Sequence, residues 1–378
     1  MVLDLENLKT SGERKPKAGR QKFYFLEKLG QIGTIPIKEK IFFVQNLQVM
    51  IKSGLALDKA LSALAEQTAN KRFKKIIKDM ATSTEKGISF TDTLKKHEKV
   101  FGEMFVSMVK AGEISGRLED VLQQIYIQIK KLHELKSKII SALTYPVVVI
   151  VAMIGIGIGM IIFVVPKITS LFAQVEAELP LATKILIGTS DFILNNGLLV
   201  GFLSIAIIFL IVFTLKHEKT KYYYHWFFLK MPVFGPIIKK INLAKFCRTL
   251  SSLIKTDIPI IKSFEITSQT LGNRLYRKFL YSSTDELKAG VTITEVLKKN
   301  PRLFPPVIVQ MASAGEETGS VDSVLSELAQ FYEDDIDQIM KTLPSIIEPI
   351  LILVLGSGVA LMAIAIIMPM QTLTQHIS

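Results

Sequence analysis

Residues 147–165 read VVVIVAMIGIGIGMIIFVV, nineteen consecutive residues without a charge. At about 1.5 Å per residue such a run makes a helix roughly 28 Å long, which matches a hydrocarbon core of about 30 Å. Two more uncharged runs of the same length follow, Gly197–Leu215 and Ile350–Met368. A helix buried in a soluble core rarely continues this far without a polar face, so all three are expected to cross a membrane. With their flanks they are placed at residues 144–165, 197–215 and 346–370.

Charge sets the expected orientation. Residues 1–143 carry 26 Lys and Arg against 16 Asp and Glu, and residues 216–345 carry 18 against 14. The stretch 166–197 has two basic and three acidic residues. Basic residues gather on the cytoplasmic side of a membrane. Residues 38–143 and 216–345 are therefore expected inside, 166–196 as a short extracytoplasmic segment, and 371–378 as an extracytoplasmic tail. Residues 1–37, charged and without hydrophobic periodicity, read as a flexible basic arm in the cytoplasm. The first long apolar run begins only at Val147, so no secretion signal is expected.

Composition narrows the chemistry. Of 378 residues, 49% are hydrophobic and 21% charged, the segregation expected of a membrane protein with large soluble parts. The single cysteine, Cys247, excludes an internal disulfide framework and a thiolate metal cluster. No histidine pair has the i, i+4 spacing of a zinc helix. A GxxxxGK[ST] loop is missing, and the spans hold no ionisable residue, Glu348 standing at the inner edge of the third. No enzyme activity, metal or cofactor is expected, and the net charge of +12, lacking any nucleic-acid-binding signature, points to membrane lipid rather than nucleic acid.

The soluble stretches read as helices. Phe43, Leu47, Met50, Ile51, Leu57, Leu61 and Leu64 recur at spacings of three and four, with a break at Ser53-Gly54. The expected continuation is helices over 71–86, 89–97, 103–111 and 117–140. The chain also repeats itself. Laying 41–166 on 244–369 needs no gap, and pairs Phe43 with Phe246, Leu47 with Leu250, Gly87 with Gly290 and Phe101 with Phe304. Pro146 and Pro166 around the first run meet Pro349 and Pro369 around the third. The unit is thus one helical bundle followed by one outgoing helix, and the unpaired run 197–215 returns the chain to the side of the bundles. The fold class is an all-α membrane protein with two homologous bundles and three transmembrane helices.

The most distinctive local feature is Ala111-Gly112-Glu113-Ile114-Ser115-Gly116, repeated as Ala314-Gly315-Glu316-Glu317-Thr318-Gly319. Glycine ends helices in the left-handed conformation, and Ser115 or Thr318 is expected to cap the next helix. Glu113 and Glu316 are not called for by either device, so a contact from their carboxylates, within the bundle or to a partner, is expected. Gly155 with Gly159 and Gly356 with Ala360 have the small-xxx-small spacing of closely packed membrane helices. Tyr222–Phe228, flanked by lysines, reads as an anchor at the membrane boundary.

Together, the helix Phe43–Leu57 with its Ile51-Lys52-Ser53-Gly54-Leu55 turn, the Gly112–Gly116 corner followed by Leu118, the paired prolines and the second copies at 246–260 and 315–321 carry a likeness. Over about 41–370 the chain resembles the inner-membrane platform proteins of type IV pilus and type II secretion machines. The resemblance implies two six-helix cytoplasmic bundles, three spans, self-association as a homo-oligomer, and no enzymatic activity. It also implies contact with a hexameric cytoplasmic assembly ATPase, other inner-membrane machine components, and pilins or pseudopilins moved into or out of the membrane. Where the resemblance implies a small extra domain before the first bundle in many relatives, only the basic arm is expected here. In the second turn, Asp257 replaces glycine. The alternative class is a transporter or channel component with cytoplasmic regulatory bundles, which would need polar residues along the spans.

Overall fold

The computed structural model describes residues 35–172, 181–216, 218–232 and 234–377. Most of the basic arm expected at 1–37, part of the expected outer segment and the last residue of the tail lie outside the described residues. Every element described is helical, with no strand among the described residues. Two compact units divide the chain, residues 1–126 and 127–378.

In the first unit α1 (Ile37–Lys52), α2 (Leu57–Gln67), α3 (Lys71–Glu85), α4 (Phe90–Lys96) and α5 (Glu103–Ser115) follow one another, with a single helical turn at Glu98–Phe101. The opening stretch of α6 (Leu118–Gly159) closes the bundle with Val121, Leu122 and Ile125, all buried. Phe43, Phe73, Phe101 and Phe105 form the centre, successive rings lying 4.9–6.1 Å apart. Such tilted aromatic pairs add to what burial alone contributes.

The second unit repeats this plan. Its bundle comprises α11 (Phe234–Lys255), α12 (Ile260–Thr270), α13 (Arg274–Lys288), α14 (Ile293–Lys298), α15 (Pro306–Thr318) and the first turns of α16 (Val321–Ile377). The bounds of α2, α3 and α5 return in α12, α13 and α15 with the same offset as the sequence repeat. The ring cluster returns as Phe246, Tyr276 and Phe304. Tyr276 replaces Phe73, and its hydroxyl, buried, donates to the Leu303 carbonyl at 2.9 Å. Burial needs that partner, because an unbonded hydroxyl in an apolar core is costly.

Backbone conformation repeats as well. Left-handed residues stand at Gly54, Gly87 and Gly116 and again at Asp257, Gly290 and Gly319. At Gly54 the amides of Gly54 and Leu55 return to the Ile51 and Met50 carbonyls, and at Asp257 those of Asp257 and Ile258 return to Ile254 and Leu253. The same turn therefore forms without glycine, since aspartate is among the residues that tolerate the left-handed region.

Between the bundles, α7 (Val165–Phe172), α8 (Leu181–Asn195), α9 (Gly197–Lys216) and α10 (Glu218–Lys230) connect the repeats. Two helices are long and apolar enough to cross a membrane, over Leu118–Lys167 and Val321–Ala360. A third span is counted if Ile187–Asn195 and Gly197–Ile207, bent by 87° at their junction, act as one. α6 continues through Pro146 and α16 through Pro349, so neither membrane segment is a separate element. Each grows out of the last helix of its bundle.

Candidate functional site

The repeated glycine–glutamate corner is built from three local choices. α5 runs past Gly112 to Ser115, and only Gly116 turns left-handed, with φ +70°. The Arg117 amide then donates to the Gly112 carbonyl at 2.9 Å and the Gly116 amide to the Glu113 carbonyl at 3.4 Å, the double closure of a glycine-ended helix. Gly112 is glycine for a different reason. A Cβ there would lie 2.8 Å from the Val121 side chain and 3.3 Å from the Leu118 backbone. At Gly315 the Val321 backbone would be 3.1 Å away. The missing side chain lets the next helix cross close to α5.

Ser115 does not cap the following helix. Its hydroxyl donates back to Ala111 at 2.8 Å, as Thr318 does to Ala314 at 2.7 Å. The glutamates do the capping instead, across the bundle. Glu113 accepts from the amides of Phe90 at 2.8 Å and Thr91 at 3.0 Å, while the Ser89 hydroxyl accepts from the Asp92 amide at 3.0 Å. Glu316 likewise takes the amides of Ile293 at 2.6 Å and Thr294 at 3.0 Å and the Thr294 hydroxyl, with Thr292 accepting from Glu295. The first amides of a helix have no partner inside it, and a carboxylate there also meets the positive end of the helix dipole. One side chain thus ties the corner to the start of α4 or α14.

A second cluster, of residues the sequence pattern did not single out, lies in the second unit where α6 and α16 leave for the membrane. The Gln128 amide is fully buried; it donates to the Thr249 hydroxyl and accepts from Ser252, both at 3.0 Å. Beside it, Arg248 makes two bonds to Glu333, at 2.8 and 2.9 Å, and both side chains are largely buried. Lys131 approaches Glu333 at 3.6 Å, Lys138 pairs with Asp337 at 2.8 Å, and Lys240 with Asp335 at 2.7 Å. Lys138 and Lys341 hold the Asp337 carboxyl below its ordinary range. Residues of α6, α11 and α16 are thereby joined in one charged seam. Planar, two-point pairing of the Arg248–Glu333 kind fixes orientation as well as distance.

Two copies of one family profile fall on this architecture. The profile described as Type II secretion system (T2SS), protein F matches residues 43–166 and again 246–369. The chain belongs to the type II secretion protein F family. This F-family protein is 33% identical over 341 residues to Type IV pilus assembly protein PilC of Myxococcus xanthus, covering 90% of the chain and 82% of that relative. PilC of Thermus thermophilus is also 33% identical, over 347 residues, 88% and 82%. Type II secretion system protein F of Aeromonas hydrophila is 28% identical over 342 residues, 90% and 87%. The two profile matches are separated by the same offset as the sequence repeat.

Other expected positions in the F-family chain differ in setting. Gly155, Gly159 and Gly356 face open space: a Cβ at any of them would meet nothing within 4 Å in this chain. On α10 the aromatic stretch divides. Tyr223 is 70% exposed, Phe227 is exposed, and Lys230 lies 3.9 Å over the Trp226 ring. His225 points the other way, and its Nδ1 accepts from the Arg274 amide at 3.1 Å. Burial, then the charges of Lys221, Arg277 and Arg274, push its pKa down, favouring the neutral ring this bond requires.

Proposed function

We propose that this protein is a non-enzymatic inner-membrane platform of a type IV pilus or type II secretion machine. It couples a hexameric cytoplasmic assembly ATPase to the insertion or extraction of pilin or pseudopilin subunits. In this reading both bundles and the amino terminus are cytoplasmic and the carboxyl terminus is extracytoplasmic. Other inner-membrane components and further copies of the chain are its neighbours, with the open glycine faces at Gly155, Gly159 and Gly356 and at Ala360 available for helix packing.

The observation that carries the reading is the charged seam. α6 and α16 pass from bundle to membrane as single helices, and Arg248, Gln128 and Glu333 bind both to the first helix of the second bundle. A push on that bundle is delivered to two membrane helices at once, because a continuous helix transmits displacement along its axis. The glutamate-tied corners stiffen each bundle, so an applied load moves it as a body.

Deleting the gene tests the proposal. Surface filaments or secreted substrates are expected to vanish while the prepilin-like subunits are still made and remain in the membrane. Filaments or secretion persisting at the parental level would overturn it. Loss of the subunits themselves would move the protein's role to their biogenesis.

A further inference from the structure

The two opening helices are unequally covered. Every residue of α11 from Asn242 to Leu253 is buried except Lys245. Their counterparts in α1 bury only Phe43, Val44 and Leu47, leaving Phe42 47% and Val49 56% exposed. The outer face of α11 is covered by the α6 segment that follows residue 127. Gln128 binds Thr249 and Ser252 there, Leu135, Ile139 and Ala142 pack into the core, and the Lys136 charge acts on Lys245.

Replacing each of these residues by its counterpart in the other repeat shows what the matching contact on the first repeat would contain. Gln128 becomes Phe331, Thr249 becomes Asn46 and Ser252 becomes Val49. Lys136 becomes Ile339 and Lys245 becomes Phe42. A polar trio turns into phenylalanine against valine and asparagine, and a like-charged pair into isoleucine and phenylalanine, whereas Leu135, Ile139 and Ala142 turn into the polar Gln338, Thr342 and Ser345. The changes fall on both partners of the contact together. Phe331 is 59% exposed on an otherwise strongly acidic stretch of α16, and Asn46 already donates to the Phe42 carbonyl at 2.8 Å, so that its amide stays bonded beside an apolar neighbour.

We propose that the α16 stretch around Phe331 of one copy docks on the Phe42–Asn46–Val49 face of α1 in a second copy. At Phe331 the contact is the apolar counterpart of the one Gln128 makes on α11, and beyond it Gln338, Thr342 and Ser345 form a polar margin. It rests on the self-association proposed above and gives it an address. Phe331, Phe42 and Val49 are all exposed in the single chain, and pairing them buries large apolar side chains on both partners. The relation runs from one repeat to the next, so repeating it between chains yields a reciprocal pair, a closed ring or, where the rotation does not close, an open array. Phe331 stands two positions from Glu333, so the contact would set each copy's seam against its neighbour.

The test is oxidative cross-linking of two differently tagged full-length chains co-expressed in membranes, Val49→Cys in one and Phe331→Cys in the other. Cys247 is fully buried, with its thiol pKa pushed up by burial, and does not compete. The expected result is a cross-linked dimer carrying both tags and absent when either cysteine is missing. Phe331→Asp should reduce co-purification of tagged copies about tenfold or more, as loss of a buried aromatic anchor does, with an unchanged melting temperature. A cross-link formed only inside a single chain carrying both cysteines would overturn the intermolecular contact. No cross-link while unmodified tagged copies still co-purify would place self-association elsewhere and overturn this interface alone. Failure of unmodified copies to co-purify from membranes would remove the self-association reading itself.

Discussion

Glu113 and Glu316 show how one side chain decides the geometry of a corner. Each carboxylate accepts two helix-starting amides from the helix that precedes its own, more than twenty residues earlier in the chain. Hydrogen bonds to a charged group contribute about 1.5–3 kcal/mol, and deleting the carboxylate leaves two amides without partners. Glu113→Ala or Glu316→Ala is therefore expected to cost about 2 kcal/mol, read as a melting temperature lowered by several degrees in detergent. Glu113→Gln, which keeps an acceptor but loses the charge, should cost about half as much. Ser115→Ala, removing only an exposed bond back to its own helix, should stay within about 0.5 kcal/mol. A larger loss for Ser115 than for Glu113 would return the capping role to the hydroxyl. The sequence marks the glutamates as unexplained by local rules, but their partners lie too far along the chain for spacing to identify.

At the scale of elements, the seam of α6, α11 and α16 is the part least visible in the repeat. Gln128, Arg248 and Glu333 have as counterparts Phe331, Gln45 and Lys130, so aligning the two copies hides them. The order of the helices and the glycine turns were legible because each follows from local spacing and recurs in the second copy, although α5 runs on to Ser115 instead of ending at 111 and α6 joins the last bundle helix to the membrane span. Long-range polar pairing follows from packing instead, and nothing local announces it. The Arg248–Glu333 pair makes this testable. Removing one member of a largely buried pair costs about 3–5 kcal/mol, whereas replacing both by apolar groups costs far less. Arg248→Met leaves Glu333 with Lys131 at 3.6 Å, but Glu333→Leu leaves two cations facing each other. The second substitution is expected to destabilise more, and the double variant less than the sum of the singles by at least about 1 kcal/mol. Additive losses in a thermal double-mutant cycle would reduce the pair to a surface contact.

For the whole molecule the open quantity is the number of crossings, and it follows from a parity argument. α6 and α16 both leave for the membrane from the carboxyl-terminal side of homologous bundles. The bundles share one side only if an even number of crossings separates them, so the outgoing α6 requires α8 and α9 to supply a return. If the pair bent by 87° does not cross, residues 216–345 with their 18 basic side chains would face outward, against the usual charge bias. Substituted cysteines separate the two arrangements, with buried Cys247 silent in both. Lys184 and Lys341 are both exposed. With three crossings, Lys184→Cys is expected to react with a membrane-impermeant maleimide in intact spheroplasts, and Lys341→Cys only after permeabilisation. With two, both would react before permeabilisation. Labelling at Lys341 from outside would thus remove the return span and, with it, a cytoplasmic second bundle within reach of an assembly motor.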